Sequence, residues 1–318
     1  MRGKSLAQYK SSIFVTANSK KYSFVKNKDD VKVYIRHCEE RTVPVLQWFF
    51  RDFDVELICG LDRRFADVLE DLFLAIENQK QEFALILDGD LVPVISADDI
   101  VHLFVEPFLQ FKKLITLNGN MVWKFFSLDR AAIGGIKSYR KQRIELYLKN
   151  LDKSRERPES YLYSKVGYSG QIKTNRPQAG HEYGQFLWHL HEKALQRGAK
   201  ASWEVPMREG DDIDFVVYKR AYEMGKALKE GHVPESYNKN SIPQEYLRKE
   251  KESISSDNVE NEYFKMKEEI NNDIRHDMGN ILDEPIFVRD IQVRNSLILT
   301  KIIEKLGMTL HKNHKIAK

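Results

Sequence analysis

The chain has 318 residues, 42% hydrophobic and 11% aromatic, which is enough to build the core of one large α/β domain plus an appendage, or of two modest domains. Its 51 basic and 47 acidic side chains leave a net charge of +4, too even a balance for nucleic acid to be the main partner. Cys38 and Cys59 form neither a CxxC pair nor a zinc-finger spacing, which argues against a disulfide framework and for a reducing compartment.

Residues 1–30 read as a basic arm: Arg2, Lys4, Lys10, Lys20, Lys21, Lys26 and Lys28 face no Asp or Glu before residue 29. Such an arm is either a solvated terminus or a weak contact for anionic lipid headgroups. No apolar run reaches the roughly 18 to 20 residues that span a bilayer. The expected place is therefore the cytoplasm, with the arm able to touch the inner face of the membrane.

From residue 31 the pattern alternates. Residues 31–35 predict a strand, 42–50 a short helix and 55–59 a second strand, the rhythm of parallel βαβ units. Phe65, Val68, Leu69, Leu72, Phe73 and Ile76 recur at helical spacing, with Asp62 as the expected N-cap. Residues 83–87 (Phe-Ala-Leu-Ile-Leu) are apolar at every position, as a strand covered on both faces must be. Ser96 and Asp99 predict a capped helix through Val105, and residues 114–117 a further strand. Ile136, Ile144, Tyr147, Leu148 and Leu151 fit one helix, and residues 182–196 another, so the sheet is expected in the first half. From about residue 230 to 279 the sequence is charged and polar and reads as linker and exposed helix, and Ile291, Leu297, Ile298, Ile302, Ile303 and Leu306 predict a last amphipathic helix. The resulting division is a catalytic domain over 31–228 and a charged linker with a helical C-terminal extension over 229–318.

The chemistry concentrates where the buried strand ends, at Asp88-Gly89-Asp90. Ligands of open α/β sheets bind beyond the carboxyl ends of the strands. Two carboxylates one residue apart can share a hard cation and leave positions open for phosphate oxygens. Gly89 lets the backbone approach a ligand closely. The same three residues are also an ordinary turn sequence. Arg130, Lys137, Arg140 and Arg157 are the cations placed to meet phosphate, and Gly134-Gly135 suggests a loop that closes on a ligand.

A strand ending in Asp-x-Asp resembles the signature of GT-A-fold glycosyltransferases, and the first 120 residues look like their nucleotide-binding half. Arg130 with Gly134-Gly135 and Tyr139-Arg140, Arg157-Pro158-Glu159, His181-Glu182-Tyr183-Gly184-Gln185 and Asp212-Ile213-Asp214-Phe215 resemble pieces of bacterial members, in order, over residues 31–226. The resemblance implies a Rossmann-like, mainly parallel sheet flanked by helices. It implies Mn2+ or Mg2+ held by Asp88 and Asp90 with His181 as third ligand. It implies a nucleotide-sugar donor, a glycan or other acceptor, and Asp88, Arg130, Gly134, Gly135 and Arg157 binding substrate. Asp212 and Asp214 are then the candidate catalytic bases. The Gln-x-x-Arg-Trp motif of processive synthases is absent, so one sugar per encounter is expected.

The competing reading is a magnesium-dependent phosphatase of the haloacid dehalogenase-like class, whose later acidic motif Gly210-Asp211-Asp212-Ile213-Asp214 imitates. In that class Asp-x-Asp ends the first strand, whereas two strands precede it here. A nucleotidyltransferase lacks its expected Gly-rich phosphate loop.

Overall fold

The structure is a computed structural model that describes residues 12–13, 28–110, 114–126, 132–155, 158–166, 169–200, 207–230, 254–286 and 288–294. In chain order the strands are β1 (Ser12–Ile13), β2 (Val31–His37), β3 (Asp54–Cys59), β4 (Phe83–Asp88), β5 (Leu91–Pro93), β6 (Thr116–Trp123), β7 (Ala132–Arg140), β8 (Ser169–Thr174), β9 (Ala179–His181) and β10 (Val288–Arg294). The helices are α1 (Val43–Phe49), α2 (Phe65–Asn78), α3 (Ala97–Gln110), α4 (Ile144–Asn150), α5 (Pro158–Val166), α6 (Leu187–Lys200), α7 (Ile213–Lys229) and α8 (Val259–Met278).

The strands form one mixed sheet in the order β1-β10-β8-β6-β7-β4-β2-β3, with β9 on β6 and β5 on β9. Most strands point one way, and β5, β7 and β10 run against them. The two-residue period of a strand sorts its side chains between two layers. Val31, Val33 and Ile35 of β2, with Phe83, Leu85 and Leu87 of β4, face α1, α3 and α8. Tyr34, Ala84 and Ile86 face α2, α4 and α5. Covering on both faces is why β4 is apolar throughout, and burying each of its large side chains stabilises the fold by roughly 1.5–3 kcal/mol. A third cluster joins α6 and α7 through Leu190, Ala194, Tyr218 and Tyr222 to Phe125 and Phe126 at the end of β6.

Several expectations are corrected. Asp62 is not the cap of α2: it takes a positive φ of 57°, and Arg64 precedes the helix. Ile136 lies in β7 and not in a helix, and only Ile144 onward is helical. The sheet is not confined to the first half, since β8, β9 and β10 complete it. Ile291 sits in β10, where pairing with Ile172 overrides its helical spacing, and residues 295–318 lie outside those described. Segment 259–278 is no exposed helix. Its Val259, Tyr263, Met266, Ile270 and Ile274 form a helical stripe buried against the sheet layer. Of the basic arm only residues 12–13 and 28–30 are described, with Lys28 paired to Asp52 and Asp98, and the polar stretch 231–253 lies outside the described residues. No described helix is long and apolar enough to cross a membrane.

Candidate metal centre

The chain runs from β2 outward to β3, then crosses back over β2 to β4. That reversal makes the carboxyl ends of β2 and β4 a topological switch point, the place where open α/β sheets bind ligands. The turn after β4 is pinned there from both sides. The Gly89 N–H donates to the Arg36 carbonyl at 2.7 Å, and the Thr42 hydroxyl donates to the Gly89 carbonyl at 2.5 Å. A Cβ at position 89 would lie 2.6 Å from Glu40 Oε2 and 2.8 Å from His37 Cβ, so only glycine fits this turn.

Beyond the turn, β5 pairs antiparallel with β9, Leu91 opposite His181. The Glu182 N–H donates to the Asp90 carbonyl at 3.1 Å. Backbone pairing thus carries His181 and Glu182 to Asp90. His181 Nε2 lies 3.1 Å from Asp90 Oδ2, and its Nδ1 lies 3.7 Å from Glu182 Oε2, an ion-pair contact too long for a hydrogen bond. Asp90, His181 and Glu182 are all buried and each offers one ligand atom within 4.8 Å of the others. Glu182 has a positive φ of 70°, uncommon for a residue with a side chain and a form of strain that concentrates at functional sites.

Helix α6 lies over this group. His189, Lys193 and Arg197, at spacings of four, form one stripe. Lys193 is ion-paired with Asp90 Oδ2, Arg197 donates to Glu182 Oε2 at 2.8 Å, and His189 Nε2 approaches Glu40 Oε1 at 3.8 Å. The Arg197 guanidinium also stacks 4.3 Å over the Trp123 ring. Each carboxylate therefore has one oxygen engaged. The other oxygens, Asp90 Oδ1 and Glu182 Oε1, are buried without a hydrogen-bond partner. Leaving such an atom unsatisfied costs about 1–3 kcal/mol, and one on each of two carboxylates in the same buried cluster fits a place for a ligand.

The electrostatics agree. Burial opposes ionisation of Asp90, but the charges on His181 and Lys193 overcome it and hold the carboxyl well below its usual range. Burial likewise opposes the charged form of Glu182, and Arg197 and His181 more than offset it. His181 is pushed up to about 9: burial alone would lower it, and the carboxylates of Asp90 and Glu182 win. His189 goes the other way, to about 4, through burial and the nearby Lys193 charge. Burial and the Asp90 charge raise Glu40. Two oxygens and an imidazole nitrogen suit Mn2+ or a similar first-row divalent ion better than Mg2+, which prefers oxygen and water.

The paired-carboxylate site expected at Asp88 and Asp90 is not what the strand end builds. Asp88 shares its face of β4 with Ala84 and Ile86, so it points to the α2 layer, where Arg36 grips it through Nη2 at 2.5 Å and Nε at 3.1 Å. The turn at Gly89 then sends Asp90 elsewhere. His181 ends a strand and does not open a helix; α6 begins at Leu187. Gly134 and Gly135 lie inside β7 and form no ligand loop. The register with β6 slips there, and a Cβ on Gly135, whose φ is +77°, would meet Met121 Sδ at 2.8 Å. Asp212 caps α7 by accepting from the Phe215 N–H at 3.0 Å, Asp214 pairs with Lys124 at 2.6 Å, and Asp211 is exposed. Among the described residues, the group of side chains able to hold a metal is Asp90, His181 and Glu182, and it includes neither Asp88 nor any of these three carboxylates. Arg130 and Arg157 lie outside the described residues. Glu182, Lys193 and Arg197 were missed by the sequence reading, although the 189-193-197 spacing is visible in it.

No protein-family model and no curated protein matches this sequence. Among solved structures, A197 from STIV is similar at 14% identity and a TM-score of 0.35, over 49% of this chain and 88% of that one. A glycosyltransferase involved in the glycosylation of the major capsid of PBCV-1 is similar at 11% identity and a TM-score of 0.26, over 36% of this chain and 62% of that one. A CMP:2-keto-3-deoxy-manno-octonic acid synthetase in complex with CTP is similar at 10% identity and a TM-score of 0.32, over 62% of this chain and 99% of that one. These are distant, partial likenesses, too weak to assign a family or an activity to the chain.

Proposed function

We propose that the chain is a transferase acting on a nucleotide-linked sugar, with a divalent cation held by Asp90, His181 and Glu182. The observation that supports this reading is the buried cluster of Asp90, His181 and Glu182 at the switch point of the sheet, in which each carboxylate keeps one oxygen without a partner. Bound there, a divalent cation supplies charge neutralisation for a leaving diphosphate. The chain's own part is to hold and to screen. Lys193 and Arg197 help to keep Asp90 and Glu182 ionised, and His181 gives up its proton to serve as a ligand. Lys193 and Arg197 also supply two positive charges, one turn apart, suited to phosphate oxygens. The Gly89 turn, braced by Thr42, fixes the position of Asp90 before any ligand arrives.

Asp212 caps α7 and Asp214 is paired with Lys124 on the wall of a neighbouring cavity, so of the two candidate bases only Asp214 lines a cavity that an acceptor could enter. The donor class is tested by incubating purified protein with a panel of nucleotide-sugars and Mn2+. Release of free nucleoside diphosphate, abolished by Asp90→Asn and by chelation, is the expected result. Release of inorganic phosphate from monoesters would favour the phosphatase instead, and pyrophosphate chemistry a nucleotidyltransferase.

A further inference from the structure

We propose that the cavity between α8, residues 184–187 and the Lys124–Asp214 pair binds a neutral, polyhydroxylated ligand, the acceptor glycan of the transfer; only the role of acceptor rests on the function proposed above. The cavity has a volume of about 640 Å3, inside the range of roughly 300–1,000 Å3 typical of small-ligand sites.

Its charges decide the class of ligand. Arg41, Lys124 and Lys265 line it together with Asp214, Glu262 and Glu269. Arg41 is paired with Glu262 at 3.0 Å, and Lys124 with Asp214 at 2.6 Å and Glu269 at 2.8 Å. Three cations against three carboxylates leave little net field, so neither a phosphate nor an ammonium group is selected. What the wall offers is a dense alternation of donors and acceptors. Vicinal hydroxyls, each able to donate and to accept, can bond to both members of these ion pairs without breaking them, whereas an anionic ligand would compete with the carboxylates for the same cations.

Gln185 supplies an independent sign. It is buried, and its Nε2 donates to Thr42 Oγ1 at 2.8 Å and to the Tyr183 carbonyl at 3.2 Å. Its Oε1 is buried without a partner in a residue that lines the cavity, so a ligand hydroxyl that reached it would satisfy an otherwise unpaired acceptor. Phe186 and Met266 add apolar surface of the kind that packs on the C–H face of a sugar ring. Gln185 also ties the cavity to the metal centre, because the Thr42 hydroxyl it contacts is the one that holds the Gly89 carbonyl. Two hydrogen bonds, from Gln185 to Thr42 and from Thr42 to Gly89, thus connect the cavity wall to the turn that places Asp90. Helix α8, which contributes Glu262, Met266 and Glu269, forms the wall of this site.

The test is saturation-transfer NMR on the full chain with neutral mono-, di- and trisaccharides of hexose and N-acetylhexosamine, with and without Mn2+ and a nucleoside diphosphate. At least one saccharide should bind. Ser255→Trp, on the exposed rim, should weaken that binding at least tenfold by filling the mouth, and Asn258→Trp on the same rim should do likewise if the first variant fails to fold. Asp90→Asn should retain it. No saccharide bound under either condition, or binding indifferent to both rim variants, overturns the proposal. Saccharide binding in a protein that binds no metal would leave this site standing and remove the donor reading. Metal and donor binding without any saccharide would do the reverse.

Discussion

Asp90 is the residue on which the rest turns, because one of its oxygens holds two cations and the other holds nothing. Its partner His181 sets a pH dependence whose sign is fixed. The folded value of about 9 lies above the ordinary 6.5, so the contribution to stability is complete below pH 6.5 and is lost as pH rises through 9. Thermal unfolding of metal-free protein should show a falling midpoint across that window, and His181→Asn should flatten it. Lys193 occupies the place next to Asp90 where a cation belongs, which makes it a competitor of any metal. Lys193→Met should destabilise the metal-free protein by about 1–3 kcal/mol, less than the roughly 3–5 of a sealed pair because this side chain is 28% exposed. The same variant should bind Mn2+ more tightly than the parent chain in calorimetry. Weaker Mn2+ binding would mean that Lys193 supports the site and does not stand in for its ion.

Elements whose residues answer to local rules were legible in the sequence. The all-apolar β4, the stripe of α2, and the Ser96 box, in which Ser96 Oγ accepts from the Asp99 N–H at 3.1 Å, follow from periodicity and capping alone. Elements fixed by distant partners were not. Ile136 and Ile291 have helix-like spacing, yet each lies in a strand because another strand pairs with it. His181 was a visible candidate, but its setting was not: positive φ at Glu182 and Gly184 keeps the chain out of a helix until Leu187. Helix α8 tests the point energetically. Ile270 is fully buried, with its Cδ1 2.5 Å from where a Cβ on Gly180 would sit. Ile270→Ala should cost about 2–5 kcal/mol and lower a single cooperative transition in urea. A loss below about 0.5 kcal/mol, or a separate early transition, would mark α8 as the appendage that its charged sequence suggests.

For the molecule as a whole, the sheet order explains why so much polar chemistry is tolerated at one end of a buried strand. The crossing from β3 back to β4 makes the switch point, β5 with β9 brings in the imidazole and second carboxylate, and α6 covers the group with Lys193 and Arg197. Half of this centre was readable as Asp90 and His181; Glu182 and the α6 cations follow only from how the chain folds back. The same architecture separates Asp88 from Asp90, turning one to Arg36 and the other to His181. That separation makes Mn2+ binding in Asp88→Asn, Asp90→Asn and His181→Ala, measured by calorimetry on the full chain, the most direct test. One equivalent should bind the unaltered protein, Asp90→Asn and His181→Ala should each weaken it at least tenfold, and Asp88→Asn should stay within about twofold. Loss of the ion in Asp88→Asn with retention in Asp90→Asn would contradict the account.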